Sequence, residues 1–335
     1  MITGLRFENL RISTARRGIS LDGGDISHVE VTDCSFDVLG EAVTVTMFDG
    51  DMSDLTVART ESMQTDTLVR SAPINAFELT NLTVVDNTMT DSVIHDTWLN
   101  PINLRNVSDV RIANNHVEGV ASDNGVGIVI AHTLEGANNI EITGNFVSNF
   151  SNGISLRNDG NRNFENVTIN NNIVTNSTRA IKIDVNNMSE TSTTSLFEHN
   201  TLFANTRSFE IADDSTGFSI QNNWSAPNAD GFHFYLSGTA SFTSDFNLFT
   251  AGEMRIGTMF VDIPTWITQH GYDASSQVES VPRFTSPSPE LPRDFIPLSN
   301  SAAIDAANTS VITTDFGDRP RSNNDIGAWE RQPTD

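Results

Sequence analysis

Six asparagines hold the same place in successive repeats of this chain: Asn87, Asn115, Asn145, Asn172, Asn200 and Asn223. Short alternating segments lead into them: Leu82-Thr83-Val84, Val110-Arg111-Ile112, Ile140-Glu141-Ile142, Val167-Thr168-Ile169 and, before Asn223, Phe218-Ser219-Ile220. A period of two marks half-buried strands. The same frame runs back through Thr60 and Cys34 to Leu10, which makes nine turns spaced 23 to 30 residues apart. A period in the twenties is that of a stacked array, and no sustained 3.6-residue apolar period supports a helical one.

A second strand recurs about eight residues after the frame, as in Gly18-Ile19-Ser20-Leu21, Gly153-Ile154-Ser155-Leu156 and Ala180-Ile181-Lys182-Ile183. A shorter apolar position lies two residues after the frame, at Phe36, Met89, Val117, Val147, Val174 and Leu202. Three strands per turn predict an all-β protein, a right-handed parallel β-helix of about nine turns over residues 1–230. A β-rich and loop-rich cap over residues 231–335 is expected to pack on its end. Asparagine suits the repeated turn because it tolerates left-handed backbone and hydrogen-bonds along the stack. At about 4.8 Å per turn the rod is on the order of 40 Å long. Terminal turns of such a rod need covering. The chain opens on Met1-Ile2-Thr3-Gly4-Leu5, already in a strand, so the expectation is a first turn capped by further sequence or a partner, in an otherwise monomeric protein.

Composition narrows the setting. Nineteen Lys and Arg stand against 43 Asp and Glu, for a net charge of −24. Such a chain repels nucleic acid and anionic membranes overall. No apolar run is long enough to insert in a membrane, and the composition suits an extracellular or cell-surface setting, with any signal peptide upstream. The one cysteine, Cys34, falls in the frame column and reads as a small buried hydrophobe.

Near the end come Ser301-Ala302-Ala303-Ile304-Asp305-Ala306 and Asp325-Ile326-Gly327-Ala328-Trp329-Glu330. These segments resemble a C-terminal signature of secreted bacterial proteins of the pectate-lyase-like parallel β-helix superfamily, a likeness confined to roughly the last ninety residues. Some members resemble alginate lyase or chondroitinase B. The resemblance implies the fold and an extracellular carbohydrate context, and fold alone does not assign a reaction.

Function therefore rests on the outward positions of the second strand, which line the substrate groove in that superfamily. Alternation places Arg70, Asn103, Arg105, Ser155, Arg157, Lys182, Asp184 and Glu210 there. Four of these are cations, and Lys182 is the only lysine in the chain. Such a strip suits an acidic polysaccharide. On a uronate polymer, β-elimination requires neutralising the carboxylate, a task for Arg157, and removing the C5 proton, a task for Lys182 or for His132. Arg70, Asn103 and Arg105 are expected to bind substrate, with His95 and Trp98 contributed by an overhanging insertion. The resembled lyases carry a lysine and then an arginine on adjacent turns, whereas Arg157 precedes Lys182 here. Calcium in several relatives makes Asp184, Glu210 and Asp213 candidate metal ligands.

Other readings use the same residues. Outward cations on an acidic solenoid offset nearby carboxylates and discourage lateral sheet association. A C5 epimerase needs the same proton abstraction. A glycoside hydrolase needs paired carboxylates, to which only Asp184 and Glu210 come close. A non-catalytic carbohydrate-binding or adhesive solenoid needs no base at all.

Overall fold

The computed structural model describes residues 2–37, 40–46, 51–63, 65–71, 79–90, 100–120, 125–132, 137–158, 163–185, 195–322, 324–333 and 335. Each rung contributes one strand to each of three sheets, of ten, eleven and eleven strands. The first sheet runs from Ile2–Glu8 to Ser241–Asp245, the second from Arg11–Ser13 to Gln277–Glu279, and the third from Arg17–Asp22 to Met259–Asp262. All ladder pairs are parallel except the last of the third sheet, where Glu253–Ile256 and Met259–Asp262 form an antiparallel hairpin. The chain is a right-handed parallel β-helix.

The inward residues stack in files. Leu5, Val29, Leu55, Leu82, Val110, Ile140 and Val167 pair successively in one, and each is almost fully buried except Leu5 in the first rung. Branched aliphatic side chains fit such a pleated stack.

The frame asparagines make a continuous buried ladder. Asn115 Oδ1 accepts from the Asn87 backbone N–H at 3.1 Å and from Asn87 Nδ2 at 2.9 Å, and Asn87 Nδ2 also donates to Val57 O at 3.0 Å. The pattern repeats through Asn145, Asn172, Asn200 and Asn223, so each side-chain amide of the ladder finds a partner. The left-handed conformation belongs elsewhere. It falls one residue earlier, at Asp86, Asn114, Gly144, Asn171, His199, Asn222 and Phe246, with φ between 52° and 63°. The two properties that the sequence reading gave to one asparagine are thus divided between neighbours. A second left-handed series, His28, Asp54, Asn81, Asp109, Asn139 and Asn166, stands six residues before the frame. Its side chains link between rungs on the exposed face, as from Asn139 Nδ2 to Asp109 Oδ1 at 2.7 Å.

The ladder does not end at Asn223. Asn223 Nδ2 donates to Asn247 Oδ1 at 3.1 Å, and Asn247 Nδ2 to the buried Asp273 carboxylate at 2.8 Å. Residues 231–256, assigned to a cap on sequence, add strands to all three sheets. The end is closed by the helix Ile263–His270, started by Asp262 and stopped by Gly271 at φ 73°. Its Trp266 is fully buried and stacks on Phe234 and Tyr272, at 5.3 and 4.8 Å between ring centroids, and donates its indole N–H to Asp273.

The remaining tail lies along the flank. Phe284, Phe295, Ala303, Ile326 and Ala328 bury against Phe146, Ile173, Trp224 and Leu248 of the second sheet. This tail, among the described residues, packs on the second sheet and not on the outer face of the third. Among the described residues no helix is long and apolar enough to cross a membrane.

Candidate functional site

Parallel pairing in register carries outward residues of the third sheet into rows. One row reads Thr44, Arg70, Asn103, Val129, Ser155, Lys182 and Glu210, each the ladder partner of the next. The row beside it contains Arg105, Ala131, Arg157 and Asp184. Small residues at Val129, Ala131 and Ser155 leave a trough between the longer side chains.

That trough is a groove of about 1030 Å³. Among the described residues Arg16, Arg17, Arg70, Arg105, Arg157 and Lys182 line it, against two acids, Glu41 and Asp66. A chain of net charge −24 therefore concentrates six of its 19 cations in one concave surface. A concave, low-dielectric surface focuses the field of like charges.

The two ends of the groove differ. At the N-terminal end, Arg70 and Arg17 both pair with Glu41, the latter at 3.0 Å, and Thr44 Oγ1 donates to it at 2.9 Å. Burial pushes the Glu41 carboxyl up, but hydrogen bonds from Arg70 and Thr44, with the Arg70 and Arg17 charges, outweigh it and hold the group below its ordinary value. At the other end Lys182 Nζ lies 2.8 Å from Asp184 Oδ2. Arg157 sits diagonally from Lys182 on the adjoining strand, directly opposite Asp184 in the ladder. Arg157 and Lys182, the expected pair, thus share one end of the groove, with Lys182 held by Asp184.

The proposed metal ligands are each otherwise engaged. Asp184 holds Lys182. Glu210 accepts from Arg179 Nε at 2.7 Å and from Arg207. Asp213 accepts from the backbone N–H of Thr239 and Asp214, and these bonds hold its carboxyl below the usual range. Among the described residues no three His, Cys, Asp or Glu side chains gather as a metal site. His132 ends the strand Val126–His132, opposite Asn158 and next to Ala131 of the Arg157 row; its side chain is outside the described residues, as are His95, Trp98 and the loop 186–194.

Arg16 and Arg17 did not emerge from counting alternation. Arg17 has the parity of the inward Ile19 and Leu21, yet it leaves a turn at the strand start, where the backbone has rotated and the side chain faces out. Arg179 and Arg207 hold the equivalent corner in later rungs. The doublet Arg16-Arg17 just before a strand was the available signal.

The C-terminal segments that resemble the superfamily signature do structural work away from the groove. Asp325 accepts from the backbone N–H of Asp305 and Arg331, Glu330 from Ser322 and Asp325, and the Ala328 N–H donates to Thr201 on the β-helix. Cys34 is buried in the frame column. Comparison with protein-family models and with curated proteins finds no match to this chain.

Proposed function

We propose that the groove binds an acidic, uronate-containing polysaccharide and that the protein acts on it as a lyase or C5 epimerase. The observation that carries this reading is the gathering of six cations in one trough of a strongly acidic chain. A flexible polyanion laid along the rows meets Arg70, Arg105 and Arg157 on successive sides. Guanidinium groups bind carboxylates bidentately and offset the charge that builds up when the C5 proton leaves. In elimination, a base takes that proton, the C5 electron pair forms the C4–C5 double bond, and the C4–O bond breaks with a proton delivered to the departing oxygen. Return of a proton to the opposite face of C5 gives epimerisation instead. Lys182 and Arg157 are the assigned pair for these transfers, and the superfamily resemblance of the C-terminal segments supports the extracellular carbohydrate setting.

A second reading is favoured by one specific contact. Lys182 Nζ is already engaged by Asp184 Oδ2 at 2.8 Å, an ion pair that suits a groove that only binds. Ultraviolet absorbance of unsaturated uronate separates the two, with alginate, pectate and chondroitin as substrates. A lyase gives rising absorbance that falls by about 10²–10⁴-fold in Lys182→Ala while polymer binding persists. Binding without absorbance or change in C5 configuration on every polymer leaves the binding module.

A further inference from the structure

The outward row that lines the groove does not stop at Lys182. Its ladder partners continue through Glu210, Tyr235, Arg255 and Phe260. Four steps of about 4.8 Å separate Lys182 from Phe260, as many as separate Arg70 from Lys182. The extension has a different chemistry. The Arg255 guanidinium lies 5.1 Å from the Tyr235 ring centroid, 5.5 Å from that of Phe260 and 5.8 Å from that of Phe232. Arg207 stacks on Tyr235 at 4.0 Å. Met254 and Val261 occupy the inner side of the same hairpin and are buried, so Arg255 and Phe260 face outward. Phe260 is 63% exposed and Met259 58%. Phe260 stands on the last strand of the third sheet, where a ligand can reach its ring.

We propose that Phe260 and Arg255, supported by Tyr235 beneath them, form a sugar-stacking platform that holds the same acidic polysaccharide chain beyond the groove. The inference rests on the proposed reading of the groove, and continuity of the row is what identifies the occupant. Aromatic faces pack against the C–H side of a pyranose ring, and the guanidinium pinned over them takes a carboxylate. The carboxylates on the route are matched or flanked by cations. Glu210 is held by Arg179 and Arg207, and Glu253, opposite Phe232 in the ladder, shares its strand with Arg255. Among the described residues the cations of the extension, Arg179, Arg207 and Arg255, are thus matched in number by Glu210, Glu253 and its ladder partner Asp262. A chain leaving the positive groove along this row would pass over Glu210, which two arginines already hold, toward Arg255 and Phe260.

The test compares Phe260→Ala with wild type by calorimetry, using alginate, pectate and chondroitin sulfate as polymers and as tetrasaccharides. For the polymer that binds wild type tightest, the substitution weakens binding roughly two- to tenfold, leaves the tetrasaccharide affinity unchanged, and Phe260→Trp restores the polymer affinity. Equal polymer affinity in Phe260→Ala overturns the platform while the groove reading stands. Failure of wild type to bind any of the polymers overturns the groove reading and the platform with it. Because Phe260 is exposed, the substitution leaves the fold intact, which thermal unfolding checks.

Discussion

Arginine meets carboxylate on two faces of this solenoid, to opposite ends. On the flank over the second sheet, Arg321 is wholly enclosed. It pairs with Glu330 at 3.6 Å and donates to Asn171 Oδ1 and to the backbone carbonyls of Thr314, Asp325, Gly327 and Ala328. Its hydrogen-bonding capacity goes into binding the tail to the rungs. In the groove of the third sheet, Arg70 and Lys182 reach single carboxylates and stay partly open to solvent. A buried pair fixes structure, whereas a half-exposed one can exchange its internal carboxylate for that of a ligand. The same residue types therefore build a clamp on one face and a binding surface on the other.

The largest expected effect lies on the flank. Arg321→Ala removes the cationic partner of buried Glu330 together with the hydrogen bonds to Asn171 and the tail carbonyls, and the expected loss is about 3–5 kcal/mol in urea unfolding, with early release of the tail in limited proteolysis. A loss as small as that of an exposed arginine would erase the contrast.

Acidification gives the next effect. His233 is fully buried, with Nε2 donating to Thr250 O at 2.9 Å and Nδ1 lying 2.7 Å from Ser225 Oγ. Burial pushes it down from 6.5 to about 4. Its folded value is depressed, so its contribution is present above pH 6.5 and lost as pH falls toward 4, by on the order of 3 kcal/mol. Asp325 has the opposite sign. Burial pushes it up to about 6, so its contribution is full below 3.8 and lost as pH rises through about 6. Unfolding measured between pH 7 and 4 is therefore expected to lose more stability on acidification in Asp325→Asn than in wild type, and less in His233→Gln.

Smaller again is the ladder. Asn145→Ala removes the acceptor for Asn115 N–H and Nδ2, and the expected cost is about 1–3 kcal/mol. Smallest in stability is the groove itself, where Arg157→Ala is expected to shift unfolding by about 0–1 kcal/mol while weakening polyanion binding. A groove arginine that proved as costly to remove as Arg321 would make the face structural.

Much of the fold was legible because a solenoid writes its period directly into the chain. Asn87 to Asn223 mark rungs, and alternation places Arg70, Asn103 and Lys182 in one row. Asn247 is equally readable, with Phe242 five residues before it and Phe249 two after, yet it falls in the stretch from 231 onward expected to be a cap. Phenylalanines there instead continue the core, Phe234 on Phe209 and Phe242 on Phe218. Arg17 stayed hidden because strict alternation fails where a strand leaves a turn. The Lys182 and Asp184 pair was hidden for another reason: side-chain pairing depends on rotamers that spacing does not encode. The tail gave its motif but not its location, since Asp325 and Glu330 act through contacts with Asp305, Ser322 and Arg331 that no period announces.

The measurement that tests the account most directly is calorimetric titration of acidic polysaccharides into wild type and into Arg105→Ala/Arg157→Ala, at low and high salt. The account predicts that wild type binds at least one uronate polymer, that affinity falls as salt rises, and that the double variant, still folded, loses most of it. Equal binding by both proteins, or binding indifferent to salt, would contradict a cationic groove as the site.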